Sequence, residues 1–204
     1  MNKRTRSLVF MAILIAIMLL FGFTPIGYIP LPFARLTLMC LPVIIGTMVL
    51  GLRTGFGLSL VFIMTSIVQL LTAPDAVSVI LFSDNPVAYI FCLVLPRLLI
   101  APVTYGVQKA LSRRMAKGSG ILAAVLGSLV NTFGYLGMLQ IIFVPALSAG
   151  LSMDISAATV MIWTVVLTNG LPEAGIAGVL CPLISNAVKK SIPPIQNTKE
   201  KAVA

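Results

Sequence analysis

The sequence predicts an all-α integral membrane protein, a bundle of six transmembrane helices, on three observations. Of its 204 residues 59% are hydrophobic and only 9% are charged, with a mean hydropathy of +1.09; a soluble domain carries roughly 25% charged residues. The apolar residues gather into long runs punctuated by Pro and Gly, and about 20 residues per run is what a hydrocarbon core demands. The basic residues fall between alternate runs, as a multi-pass topology requires. This length holds five or six crossings and short loops, so residues 1–204 read as a single membrane domain.

The first span is expected at about 7–23, behind Lys3, Arg4 and Arg6. It resembles the front of a signal peptide, but no small-residue cleavage site follows, so it should stay as a helix. From Thr24 to Phe33 the sequence TPIGYIPLPF holds Pro25, Pro30 and Pro32, which forbid regular helix and predict an ordered apolar loop. The second and third spans are expected at about 36–52 and 55–72. Gly51 to Gly57 is glycine-rich but lacks the lysine and strand of a phosphate-binding loop, so it reads as a tight turn. A loop from Ala73 to Pro86, carrying Asp75, Asp84 and Asn85, leads into the fourth span at about 87–111. The fifth and sixth follow at about 121–144 and 157–188, leaving a tail at 189–204. The sixth is long for one crossing, so it must be tilted, broken near Gly170 to Pro172, or extended beyond the bilayer.

With six spans the amino terminus, the loops around Arg53 and Lys109 to Lys117, and the tail share one side. They carry twelve of the fourteen Lys and Arg residues. The other side has only Arg35, with Asp75, Asp84 and Asp154. The excess of cationic loops on the cytoplasmic side of membranes then puts both termini in the cytoplasm. The net charge of +9 does not point to nucleic acid, because no basic cluster has interleaved aromatics. Cys40, Cys92 and Cys181 are odd in number and each sits in an apolar run, which predicts small buried side chains rather than disulfides. Without histidine, and without a nucleophile-base pair, the chain offers no catalytic residue, no metal site and no cofactor site. Any ATP hydrolysis must come from another subunit.

Arg97 and Glu173 interrupt spans that are otherwise apolar. A charge near mid-bilayer costs about 2.5 to 3.5 kcal/mol on the translocon scale, so it marks a partner or a substrate path. Other polar residues recur at helical spacing: Thr65, Gln69 and Thr72; Asn131 and Tyr135, with Thr132 adjacent; Asn169 and Glu173. These faces either line a cavity for a small polar solute or join helices by hydrogen bonds. Arg97 either pairs with Glu173 or meets a ligand carboxylate. Ala12 and Ala16, and Gly170, Ala174 and Gly178, are small residues four apart that permit close helix approach, inside the fold or with a partner. Tyr89 and Trp163 read as interfacial anchors.

Several stretches carry a family likeness. FTPIGYIPLPFARLTLMCLPVIIGTMVLG (Phe23 to Gly51), LPR (Leu95 to Arg97), GSLVNT (Gly127 to Thr132) and NGLPEAGIAGVLCP (Asn169 to Pro182) resemble the substrate-binding S components of energy-coupling factor (ECF) transporters. Within that family the TPIGYIPLP loop before an LPVIIG helix is most similar to the pantothenate-specific members. The resemblance implies a plasma-membrane protein of a prokaryote that captures a water-soluble vitamin from outside. It implies gating by the first loop, with Tyr28, Pro30 and Pro32, and by the loop between the third and fourth helices. It also implies docking through Ala12 and Ala16 on a transmembrane coupling protein attached to two cytoplasmic ATPases. Arg97 would then take the vitamin carboxylate, Asn131, Tyr135, Asn169 and Gln69 would bond its hydroxyl and amide groups, and Glu173 would belong to the same site. The alternatives are an S component for another vitamin or a pyrimidine precursor, a proton-coupled secondary transporter using Glu173, and a membrane scaffold.

Overall fold

The computed structural model describes residues 3–24, 28–30, 35–112, 115 and 118–191. Helix α1 spans Lys3–Phe23. Two short strands follow, β1 (Tyr28–Pro30) and β2 (Arg35–Thr37), paired antiparallel with Ile29 opposite Leu36. The proline-rich segment is therefore not simply loop: Pro30 closes a three-residue strand at a sheet edge, where its missing N–H is tolerated.

The pairing of 35–37 shortens the second expected span. Helix α2 covers only Cys40–Leu50, about 16 Å at 1.5 Å per residue, too short for a hydrocarbon core about 30 Å thick. Every residue from Cys40 to Val49 is buried, so α2 is a central strut wrapped by other helices. Gly51 ends it with φ 91° while its N–H bonds Thr47 O, a conformation that favours glycine. Helix α3 (Leu52–Thr72) starts at the next residue.

The expected loop from Ala73 to Pro86 contains helix α4, Ala76–Asp84. Asp75 caps it, its carboxylate accepting from Ser78 N–H at 2.6 Å, the ordinary N-cap role of a short acidic side chain. Helix α5 runs from Pro86 to Ser112 and α6 from Ser119 to Ile142. A short helix that the sequence reading left as loop, α7 (Val144–Gly150), leads to α8 (Ile155–Val165). A π turn at Val166–Gly170 joins α8 to α9, Leu171–Ser191. The long sixth span thus carries its irregularity at the front edge of the expected break. The predicted tail begins inside α9, and 192–204 lie outside the described residues.

Among the described residues, five helices are long and apolar enough to cross a membrane, at 5–23, 52–72, 86–112, 119–142 and 155–190, and α2 is a shorter apolar sixth. Two buried clusters organise them. One is built on α2 with Leu14, Met18, Leu58, Phe62, Ile100, Ala177 and Cys181. The other joins Leu81, Tyr89, Leu93, Leu136, Phe143, Leu147 and Ile162. The Gly170, Ala174, Gly178 stripe is an internal contact: a Cβ on Gly170 would meet Thr132, and one on Gly178 would meet Val125, both on α6.

Candidate functional site

A cavity of about 620 Å³ opens among α3, α4, α5, α6, α8 and α9, within the roughly 300–1,000 Å³ of small-molecule sites. Its polar wall follows from four-residue spacing on successive helices, which puts side chains on one face. Tyr89, Leu93 and Arg97 come from α5, Asn131 and Tyr135 from α6, and Asn169 and Glu173 from the π turn and α9. Ser66 and Gln69 enter from α3, and Asp75 and Ser78 from the start of α4. Arg97, Asn131, Tyr135, Asn169, Glu173 and Gln69, singled out in the sequence, line this one space.

Arg97 is held by its surroundings before any ligand arrives. Its guanidinium carbon lies 4.8 Å from the Phe62 ring centroid and 5.7 Å from that of Tyr135, distances at which a cation is attracted to a ring face. Its Nη1 donates to Leu93 O at 2.5 Å. Glu173, 4% exposed, accepts from Cys40 Sγ at Oε1 (2.9 Å) and from Thr132 Oγ1 at Oε2 (3.5 Å). Around the rim, Tyr89 Oη donates to Ser78 Oγ at 2.9 Å and lies 3.3 Å from Tyr135 Oη, so one polar chain links α4, α5 and α6.

Some expectations need correction. Tyr89 is not an interfacial anchor: it is 2% exposed, packs edge-on against Phe143 and lines the cavity. Thr65 and Thr72 spend their hydroxyls on Val61 O and Val68 O of their own helix and do not line the cavity. Gln69 does both jobs, lining the cavity while its Nε2 donates to Gly22 O on α1. Tyr28 and Pro30 lie in β1, and Pro32 lies outside the described residues. Ala12 and Ala16 are exposed on α1, whereas Leu14 and Met18 turn inward.

Residues 6–185 match the family of ECF transporter substrate-specific components. The chain belongs to this family. The S component is also similar to the pantothenic acid transporter PanT of Lactococcus lactis subsp. cremoris (strain MG1363), with 31% identity over 191 residues that cover 90% of this chain and 91% of that protein. It is a multi-pass membrane transport subunit and not an enzyme, and S components pair with a coupling protein and ATPases. Cys40 is a free, buried side chain as expected, but its contact with Glu173, the place of Ser78 in the cavity wall and the inward position of Tyr89 are not in the sequence reading of this S component. A cysteine in an apolar run reads as a small hydrophobe, and an aromatic near a helix end reads as an interface residue. The one available signal was the i, i+4, i+8 register of Tyr89, Leu93 and Arg97.

Proposed function

We propose that this S component binds pantothenate from the outer side and hands it to the coupling protein with which it assembles. The observation that carries this reading is Arg97, a permanent cation held at the wall of a vitamin-sized cavity; the similarity to PanT supports it. Guanidinium matches a carboxylate in a two-pronged geometry. Asn131, Tyr135, Asn169 and Gln69 then serve the hydroxyl and amide groups. The β1–β2 segment and the 73–86 segment cover the outer side, and both termini face the cytoplasm, following the division of Lys and Arg between loops. The whole described chain works as one membrane domain.

Calorimetry with the purified protein tests the ligand reading. Arg97→Gln is expected to weaken pantothenate about tenfold or more, from losing a charge-assisted hydrogen bond worth about 1.5 to 3 kcal/mol. A folded Arg97→Gln protein that binds as tightly as the parent removes the carboxylate role. Docking is assigned to the exposed Ala12 and Ala16 face, since small side chains permit close helix approach. Ala16→Trp should abolish uptake in cells while binding by the isolated protein stays intact; lost binding would place that face inside the fold's own packing.

A further inference from the structure

Glu173 and Asn131 line the same cavity as Arg97, and the Glu173 carboxylate and Asn131 Oδ1 have the opposite hydrogen-bonding sense. Arg97 only donates, whereas a carboxylate offers about four acceptor sites. The donors on Glu173 described above, Cys40 and Thr132, take one site on each oxygen. Asn131 is 8% exposed, and its Oδ1 meets no donor among the described residues. A buried acceptor left without a donor is unfavourable. A ligand that fills the cavity against it must therefore bring a donor of its own.

Cys40 is what fixes this acceptor wall. It is the first residue of α2, three positions after β2, and it is fully buried. Its Sγ has two oxygen neighbours, Ser128 Oγ at 4.0 Å and Glu173 Oε1 at 2.9 Å, so the thiol proton is directed to the carboxylate. Space-filling alone does not require that contact. Because Cys40 reaches Glu173 from α2, the carboxylate is held from behind, and its remaining acceptor sites are left for the cavity.

We propose that Cys40 is a positioning residue for substrate selection: it holds Glu173 so that this carboxylate and Asn131 Oδ1 accept from hydroxyl or amide N–H groups of an acid bound at Arg97. The ligand class is thus a carboxylic acid that also carries hydroxyl or amide N–H donors, and an acid of the same shape without them is rejected. The inference rests on the pantothenate reading above, and its test separates the two.

The probes are pantothenate and its analogue with both hydroxyls replaced by hydrogen, titrated into the parent, Cys40→Ala and Cys40→Ser. The parent should prefer pantothenate about thirtyfold or more, and Cys40→Ala should lose about tenfold of that preference with little change toward the analogue. Cys40→Ser, which keeps a donor, should retain the preference within about threefold. An unchanged preference in folded Cys40→Ala, or an equal loss for both ligands, makes Cys40 packing only and overturns the proposal. A parent that binds both acids equally removes the acceptor wall and leaves the Arg97 reading standing, whereas a parent that binds neither removes both. If Cys40→Ala does not fold, the parent decides through the infrared S–H stretch that is missing from Cys40→Ser. Pantothenate should shift that band and the analogue should not; a band unmoved by pantothenate overturns the role.

Discussion

The α2-centred cluster and the cavity wall lie in one bundle and treat polar groups in opposite ways. Helix α2 itself carries no charged side chain, Thr47 bonds Val43 O of its own helix at 2.7 Å, and glycines bring backbones together: Gly55 faces Thr47 and Ala101, and Gly46 faces Leu58. None of the cavity's lining residues comes from α2. The cavity wall instead concentrates Arg97, Asn131, Asn169 and Glu173 on neighbouring helices, each unfavourable in hydrocarbon unless partnered. The first region fixes the scaffold through packing. The second keeps hydrogen-bonding capacity in reserve, which packing for stability would have removed.

The largest effect should come from breaking the dry region. A Cβ on Gly55 would stand 2.9 Å from Ala101 Cβ and 3.1 Å from Thr47 Cβ, and Ala101 has no side chain beyond Cβ to swing away. Gly55→Val is therefore expected to destabilise by about 3 kcal/mol, the upper end for overpacked cores, seen as a lowered thermal midpoint in detergent. The fraction that remains folded should bind pantothenate as the parent does. Normal stability in Gly55→Val would mean that α2 and α3 are not in tight contact there.

A second substitution should move stability and binding in opposite directions. Asn131 Oδ1 meets no donor among the described residues, so Asn131→Leu, of similar volume, should raise stability by up to about 1 kcal/mol. It should also weaken pantothenate about tenfold, because a hydroxyl or N–H of the ligand is then left without its acceptor. This trade is the mark of a site kept for function at the expense of stability. If Asn131→Leu lowers stability and leaves affinity alone, Asn131 belongs with the scaffold.

The two regions were also unequally legible in the sequence. A polar residue inside an apolar run is conspicuous because hydrocarbon penalises it, and four-residue spacing aligned Asn131 with Tyr135 and Asn169 with Glu173 before any coordinates. The length of α2 was not legible. The apolar run continues through 36–39, and only the tertiary pairing of β1 with β2 takes Leu36 and Thr37 out of the helix. Helices α4 and α7 were missed for a related reason: each is one to three turns long, too short for periodicity to separate it from a loop. Cys40 meets Glu173 across 133 residues of sequence, a contact that no local pattern encodes. Sequence therefore reports which residues are out of place in a membrane, whereas the structure reports what has been arranged around them.

The smallest predicted effect sharpens the comparison most, because it uses the same physical defect in the other region. Ser59 is 0% exposed, and its Oγ has no hydrogen-bond partner among the described residues, as for Asn131 Oδ1. Ser59 does not line the cavity. Removing its hydroxyl should therefore gain the same kind of stability with nothing lost. Ser59→Ala is expected to stabilise by about 0.5 to 1 kcal/mol, less than the roughly 1 to 3 kcal/mol of an unsatisfied buried group because the lost oxygen leaves a small void, with pantothenate affinity unchanged within about twofold, a difference under half a kcal/mol. Thermal unfolding and calorimetry on the same preparation read both numbers. If Ser59→Ala weakens binding as Asn131→Leu does, unsatisfied polar atoms outside the cavity also bear on the ligand, and the division between a dry scaffold and a reserved wall fails. If only Asn131→Leu couples stability to affinity, the division holds, and an unpartnered buried atom signals function only where it also faces the cavity.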